Sequence, residues 1–455
     1  MLNRKSLLVL AAVGVGVLAA PSVAVADHAS NPHTSTMHAK GHSPHPATFF
    51  GDPDGVRHIN SDITFRGNLA FNGNYDGFRI IDISDPDNPR ELLHQRCNGD
   101  QGDISVYGDI LVRSWNSKKA VARTCDGDTV PAGWEGVHVF DISDLTDPDL
   151  VASVELPCGS HTTTLAPDLG NNRLIVYSNN SSSSGCTGGD PAGDFIDVLE
   201  VPVDHPENSS LLRREPLAGP LTAVATGCHD MGVILGDANL AACASADATN
   251  VFDIGDNAIP GGTLEDPQFL YTISEPGVGQ AGTNGRWHSA TFTWDGEVII
   301  LGWEPGGGAA PECETADPDV DKSAFFYDAD TGAKLGQWTL PRGQDGAGEN
   351  CTIHNYNVVP LRSGRYVLVS GNYQAGTWVT EFTDPANPVT LGWSDPPAIT
   401  PLDLGGAWSS YWYNNFIYES SITEGLNVYR FSGDATAGAI RLPHLNPLTQ
   451  EFTIH

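Results

Sequence analysis

The chain repeats one short opening seven times, and this repetition restricts its fold more than any other feature. A polar residue follows a loop and begins a β-rich run at Ser61-Asp62-Ile63-Thr64-Phe65, Gly102-Asp103-Ile104-Ser105-Val106, Ser160-His161-Thr162-Thr163, Cys228-His229-Asp230-Met231, Trp287-His288-Ser289-Ala290, Ile353-His354-Asn355-Tyr356 and Trp408-Ser409-Ser410-Tyr411. Successive openings lie 41 to 68 residues apart. Within each unit a later line recurs, clearest at Gly77-Phe78-Arg79-Ile80-Ile81-Asp82-Ile83-Ser84-Asp85-Pro86 and Gly136-Val137-His138-Val139-Phe140-Asp141-Ile142-Ser143-Asp144. Aspartate and proline after such a strand set a tight turn, so each unit reads as four short antiparallel strands. Units of this length that bury their faces only against neighbours make radial arrays. The expected fold is all-β: a seven-bladed β-propeller of four-stranded antiparallel blades. The 50 Gly and 31 Pro supply the turns this needs.

The lines Phe78 to Pro89 and Val137 to Pro148 resemble the LVIVD-repeat family. That resemblance implies a propeller on an exported protein. It implies no particular activity, because the family has no uniform one.

The ends read differently from the middle. Residues 1–26 carry Arg4 and Lys5, an apolar run from Leu7 to Ala20 and Ala24-Val25-Ala26, the layout of a secretory signal. Residues 27–57 place His28, His33, His38, His42 and His45 among Ser, Thr, Pro and Gly, which predicts a disordered His-rich leader able to collect Cu or Zn. The propeller is expected over 58–432. The last unit is one strand short, and either Thr48-Phe49-Phe50 or Ala439 to Leu442, within a C-terminal segment at 433–455, could close it. A net charge of −33 disfavours nucleic acid, which needs clustered Lys and Arg. No later stretch is long enough to span a membrane. The protein is therefore expected to be secreted, extracellular or associated with the cell surface, and monomeric. Its eight cysteines should be oxidised there. Sequence leaves the connectivity open; nearest-neighbour pairing, 97 with 125, 158 with 186, 228 with 243 and 313 with 351, would staple one face.

In a propeller the first strand of each blade lines the channel, so the seven openings form a ring. Asp62, Asp103, His161, His229, His288 and His354 are then candidate ligands for a divalent transition metal (Cu, Fe or Zn), with neutral nitrogens and hard oxygens around open positions. Glu304 and Glu419 end second strands on the same face and are candidates for a catalytic base. A propeller-axis metal on four histidines is similar in architecture to carotenoid-cleaving oxygenases, which implies an oxidative function on a small-molecule substrate. Two rival readings stand beside it. One is a non-catalytic interaction propeller with an extracellular protein ligand, its imidazoles tied structurally within each blade. The other is a metal-assisted hydrolase. Asp317-Pro318-Asp319-Val320-Asp321 alternates acids like a calcium loop, but Lys322 and Asp328 stand where Gly and Glu are wanted.

Overall fold

The computed structural model of the chain describes residues 28–45, 58–99, 101–116, 120–156, 158–180, 195–218, 227–245, 248–259, 261–278, 285–345, 348–399 and 404–455. The expected signal, the segment Thr48–Phe50 and Cys186 lie outside them. The fold is all-β and propeller-like; among the described residues helix is confined to 3₁₀ turns of three or four residues. The first repeat shows the pattern. Asn60–Arg66, Leu69–Asn74, Gly77–Asp82 and Arg90–Arg96 pair antiparallel in chain order. The first three are almost wholly buried and the fourth is half exposed, as its charged residues require. The turn after the third strand is capped as its sequence predicts: the Asp82 carboxylate accepts from the Ser84 N–H at 2.9 Å, and Asp141 does the same for Ser143 at 2.8 Å.

Among the described residues, five sheets carry four or five strands and one carries eight. The larger sheet arises because two antiparallel runs of four touch: Asn355–Val358 pairs in parallel with Ala407–Tyr413 at Asn355–Ser409 and Tyr356–Ser410. The core lies between consecutive sheets. Phe78 meets Phe140 edge-on at 5.1 Å, and Phe326 stacks on Phe382 at 4.4 Å. Innermost strands are laced around the ring by side chains of one strand donating to carbonyls of the next. Ser105 Oγ reaches Thr163 O (3.1 Å), Thr162 Oγ1 reaches His229 O, and Ser289 Oγ reaches His354 O (2.7 Å).

Both ends depart from expectation. The leader is not disordered over its described part: Met37–Pro44 is a strand, paired antiparallel with Gly425–Phe431, and it closes the last run of four. Its ladder is a backbone matter, and Met37 supplies the buried apolar anchor, so polar composition conceals it. Gly425, at φ +118°, lets the strand approach; a Cβ there would lie 2.4 Å from Ser43 O. Ala439 to Leu442 does not close the sheet, and Ala439 makes only an isolated bridge with Leu361. Instead the C-terminal segment crosses the ends of the inner strands. His444–Leu445 pairs with Asn60–Arg66 and Thr449–Gln450 with Cys228–Ile234. Asn446 exchanges hydrogen bonds with Val106 N and O, Thr449 donates to Leu165 O, and Gln450 to Thr291 and Phe292.

Disulfides join Cys97 to Cys125, Cys228 to Cys243 and Cys313 to Cys351, as nearest-neighbour pairing predicts. Among the described residues no helix is long and apolar enough to cross a membrane.

Candidate metal centre

Each histidine of the predicted ring sits just before an inner strand or within its first four residues: His161 before Thr162–Asp168, His229 in Cys228–Ile234, His288 in Gly285–Phe292 and His354 before Asn355–Val358. The four imidazoles touch in order. Ring centroids are 4.4 Å apart for His161 and His229, 3.8 Å for His229 and His288, and 4.2 Å for His288 and His354. Together with Glu304, Arg286, Tyr373 and Trp408 they line a cavity of about 250 Å³. Ligand atoms of His229, His288 and Glu304 all lie within 4.8 Å of one another. Glu304 Oε1 is 3.8 Å from His288 Nε2 and 3.9 Å from His354 Nε2.

Outer partners orient the set. Nδ1 of His354 meets the Trp408 carbonyl oxygen, so that nitrogen carries the proton and Nε2 is left unprotonated toward Glu304. Tyr373 donates its hydroxyl to Glu304 Oε1 at 3.0 Å. His161 differs, with Asn116 at its Nδ1 and Gln101 3.5 Å from its Nε2.

Burial dominates the electrostatics. It lowers His161, aided by Arg286 and His354, to a pKa of about 3, and lowers His354 to about 3 against the hydrogen bond to Trp408. Burial, then neighbouring imidazoles and Arg286, hold His229 and His288 well below the usual range. The ring is therefore neutral and offers lone pairs. Burial also raises Glu304, against Arg286 and the Tyr373 hydroxyl.

Asp62 and Asp103 do not line this cavity. Both are buried, and their carboxylates act on Asp230, a residue that strand alternation would turn away from the channel. A register shift between Cys228 and Met231 lets His229 and Asp230 face inward together. Asp230 stands 3.2 Å from His229 Nδ1 and 3.7 Å from His288 Nδ1. The dipeptide His229-Asp230 was the available signal. Burial raises Asp62 to about 6, despite the Tyr411 hydroxyl at 2.9 Å, and raises Asp103 and Asp230 well above the usual range, with mutual repulsion adding to it.

Glu419 is elsewhere. It is fixed by Thr377 and by Asn427 Nδ2 at 2.9 Å, and borders a separate depression with Gln374 and Pro396. In the acid-rich loop Lys322 supplies the cation itself, its ammonium donating to Glu314 O (2.7 Å) and Asp317 O (2.9 Å). Cys97, Cys125 and His138 also converge, but both sulfurs share a disulfide. Trp115, Trp287 and Trp303 are core residues.

Fold and cavity together define a β-propeller-like protein with a buried imidazole cluster where inner strands begin. The chain carries LVIVD repeats, matched at residues 60–94 and 130–155. Among curated proteins none matches it. Among solved structures, the crystal structure of the computationally designed Ika8 protein aligns with 86% of this chain and 97% of its own, at 12% identity and a TM-score of 0.42.

Proposed function

We propose that this protein is an exported seven-bladed propeller that holds one divalent transition ion at its inner-strand openings. His229, His288, His354 and Glu304 are the ligands. His161 flanks them, and Asp230, Asp62 and Asp103 form an acidic layer behind. A count of seven blades is supported by the two-residue parallel contact at which the eight-stranded sheet divides into two runs of four. Export is supported by the disulfides and the layout of residues 1–26.

The observation that carries the reading is the convergence of two neutral imidazoles and a carboxylate within bonding reach of one ion. A Zn–N bond is about 2.0–2.1 Å, so facing ligand atoms roughly 3.4 Å apart suit it, close to the distances around Glu304. A structural role predicts imidazoles tied within their own blade; here His354 is tied to the next inner strand and His161 to Asn116 of the preceding unit.

Cu, Fe and Zn are the ions this donor set suits, and a bound ion would supply either redox chemistry or Lewis acidity to a small substrate. The chain's own part is to present lone pairs, place Glu304 beside them and keep bulk water from the acidic layer. Elemental analysis of protein equilibrated with Cu, Zn and Fe tests the reading. His229→Ala/His288→Ala should lose one equivalent, and an unchanged metal content would reject the site.

A further inference from the structure

We propose that His45, Asp76 and His94 form a second divalent-metal site that fastens the N-terminal closing strand to the first repeat. This site is separate from the candidate centre and shares no residue with it.

His45 follows the closing strand Met37–Pro44. Asp76 lies in the turn between Leu69–Asn74 and Gly77–Asp82, and His94 is on the outer strand Arg90–Arg96. Three ligand atoms from these residues lie within 4.8 Å of one another. His45 Nε2 is 3.8 Å from Asp76 Oδ1, His94 Nε2 is 3.4 Å from Asp76 Oδ2, and the imidazoles meet edge-on at 4.9 Å. His45 Nε2, His94 Nε2 and Asp76 Oδ1 are buried atoms with no hydrogen-bond partner. Three buried atoms gathered about one carboxylate, each without a hydrogen-bond partner, are costly unless something sits among them. A tetrahedral ion with bonds of about 2.0–2.2 Å would bring them to roughly 3.4 Å apart.

The surroundings hold the set in place. Asp76 Oδ2 is engaged by His58 Nδ1 at 2.7 Å and by Arg96, which orients Oδ1 toward His45. The His45 N–H donates to Glu424 O (2.7 Å) and its carbonyl accepts from Asn60 Nδ2 (3.1 Å). The Asp76 carbonyl accepts from Cys97 N at 2.8 Å. Gly77, at φ +148°, allows this turn, since a Cβ would fall 1.8 Å from Gln95 O. Imidazoles that are 14% and 21% exposed leave an entry path and positions for water. Two imidazoles and one carboxylate suit a borderline ion such as Zn²⁺ or Cu²⁺.

Such an ion would bind a site that exists only when the closing strand is in place, so it would stabilise the closed ring. The test uses metal-stripped full-length protein carrying His229→Ala/His288→Ala, titrated with Zn²⁺ and, for its visible absorption, Co²⁺. One equivalent should bind, with a rise in Tm of about 3 °C at saturating Zn²⁺. His94→Gln in the same background should bind none, lose the Tm response and keep the metal-free Tm. An unchanged response in His94→Gln, or no binding before that change, overturns the proposal. If the double variant does not fold, wild type is compared with His94→Gln: loss of one equivalent supports the site and no loss overturns it. The count stays readable if the candidate centre binds nothing, because wild type then holds the single equivalent that His94→Gln removes.

Discussion

Glu304 is the residue on which the imidazole cavity turns, because its carboxylate lines that cavity within 4 Å of the Nε2 atoms of both His288 and His354. Glu304→Gln keeps its shape and the Tyr373 contact but removes the anionic donor. It should weaken metal binding by at least about tenfold in calorimetric titration, with little change in Tm. His138 gives a pH prediction away from this site. It is buried in Gly136–Asp141 and stacked on Trp134 at 4.5 Å, and burial, then Arg113, lowers its pKa to about 3. The unfolded chain has an ordinary value near 6.5 and so binds more protons between those limits. Its contribution to stability is therefore complete above pH 6.5 and lost as pH falls toward 3. His138→Phe should lose about 2 kcal/mol less than wild type between pH 7.5 and pH 4.5 in denaturant titrations. Asp62, raised to about 6, acts in the opposite sense between 3.8 and 6, and the pairwise comparison cancels it. At this scale the histidines were legible in sequence, because each opens a strand after a loop. Asp230 was not, because a bulge, invisible to period-two reasoning, turns it inward.

The strands that repeat were legible for the same reason: Phe78 to Pro89 and Val137 to Pro148 state strand, cap and turn in one line. The two elements that do not repeat were hidden. Met37–Pro44 buries little that is apolar besides Met37, and the C-terminal segment shows no repeat line, its scattered Leu442, Leu445 and Ile454 being buried while its polar side chains bond inner strands. Asn446 concentrates that second role. Its Oδ1 accepts from Val106 N at 2.8 Å and Thr64 Oγ1 at 2.7 Å, and its Nδ2 donates to Val106 O at 3.0 Å. Asn446→Ala would leave a buried backbone pair unmet and should destabilise the protein by about 2–4 kcal/mol. Urea unfolding should show the lower midpoint at an unchanged slope.

Across the molecule, closure is reinforced by covalent links between neighbouring repeats. Cys97–Cys125 joins the first repeat to the hairpin of the second, and Cys313–Cys351 joins the fifth to the sixth. Against this cohesion stands a net charge of −33. Self-repulsion of that size opposes compaction, and salt screens it over about 10 Å at 0.1 M. The urea midpoint should therefore rise as NaCl is increased from about 0.05 to 0.5 M; a flat or falling midpoint would show that the acids are already compensated by local pairs. The C-terminal segment, lying over the ends of five inner strands, bears on traffic. With that side covered, the door to the imidazoles is the side on which the inner strands begin. A peptide fused beyond His455, which rests against Asp237 just past the far end of Cys228–Ile234, would emerge on the opposite side and leave that door free.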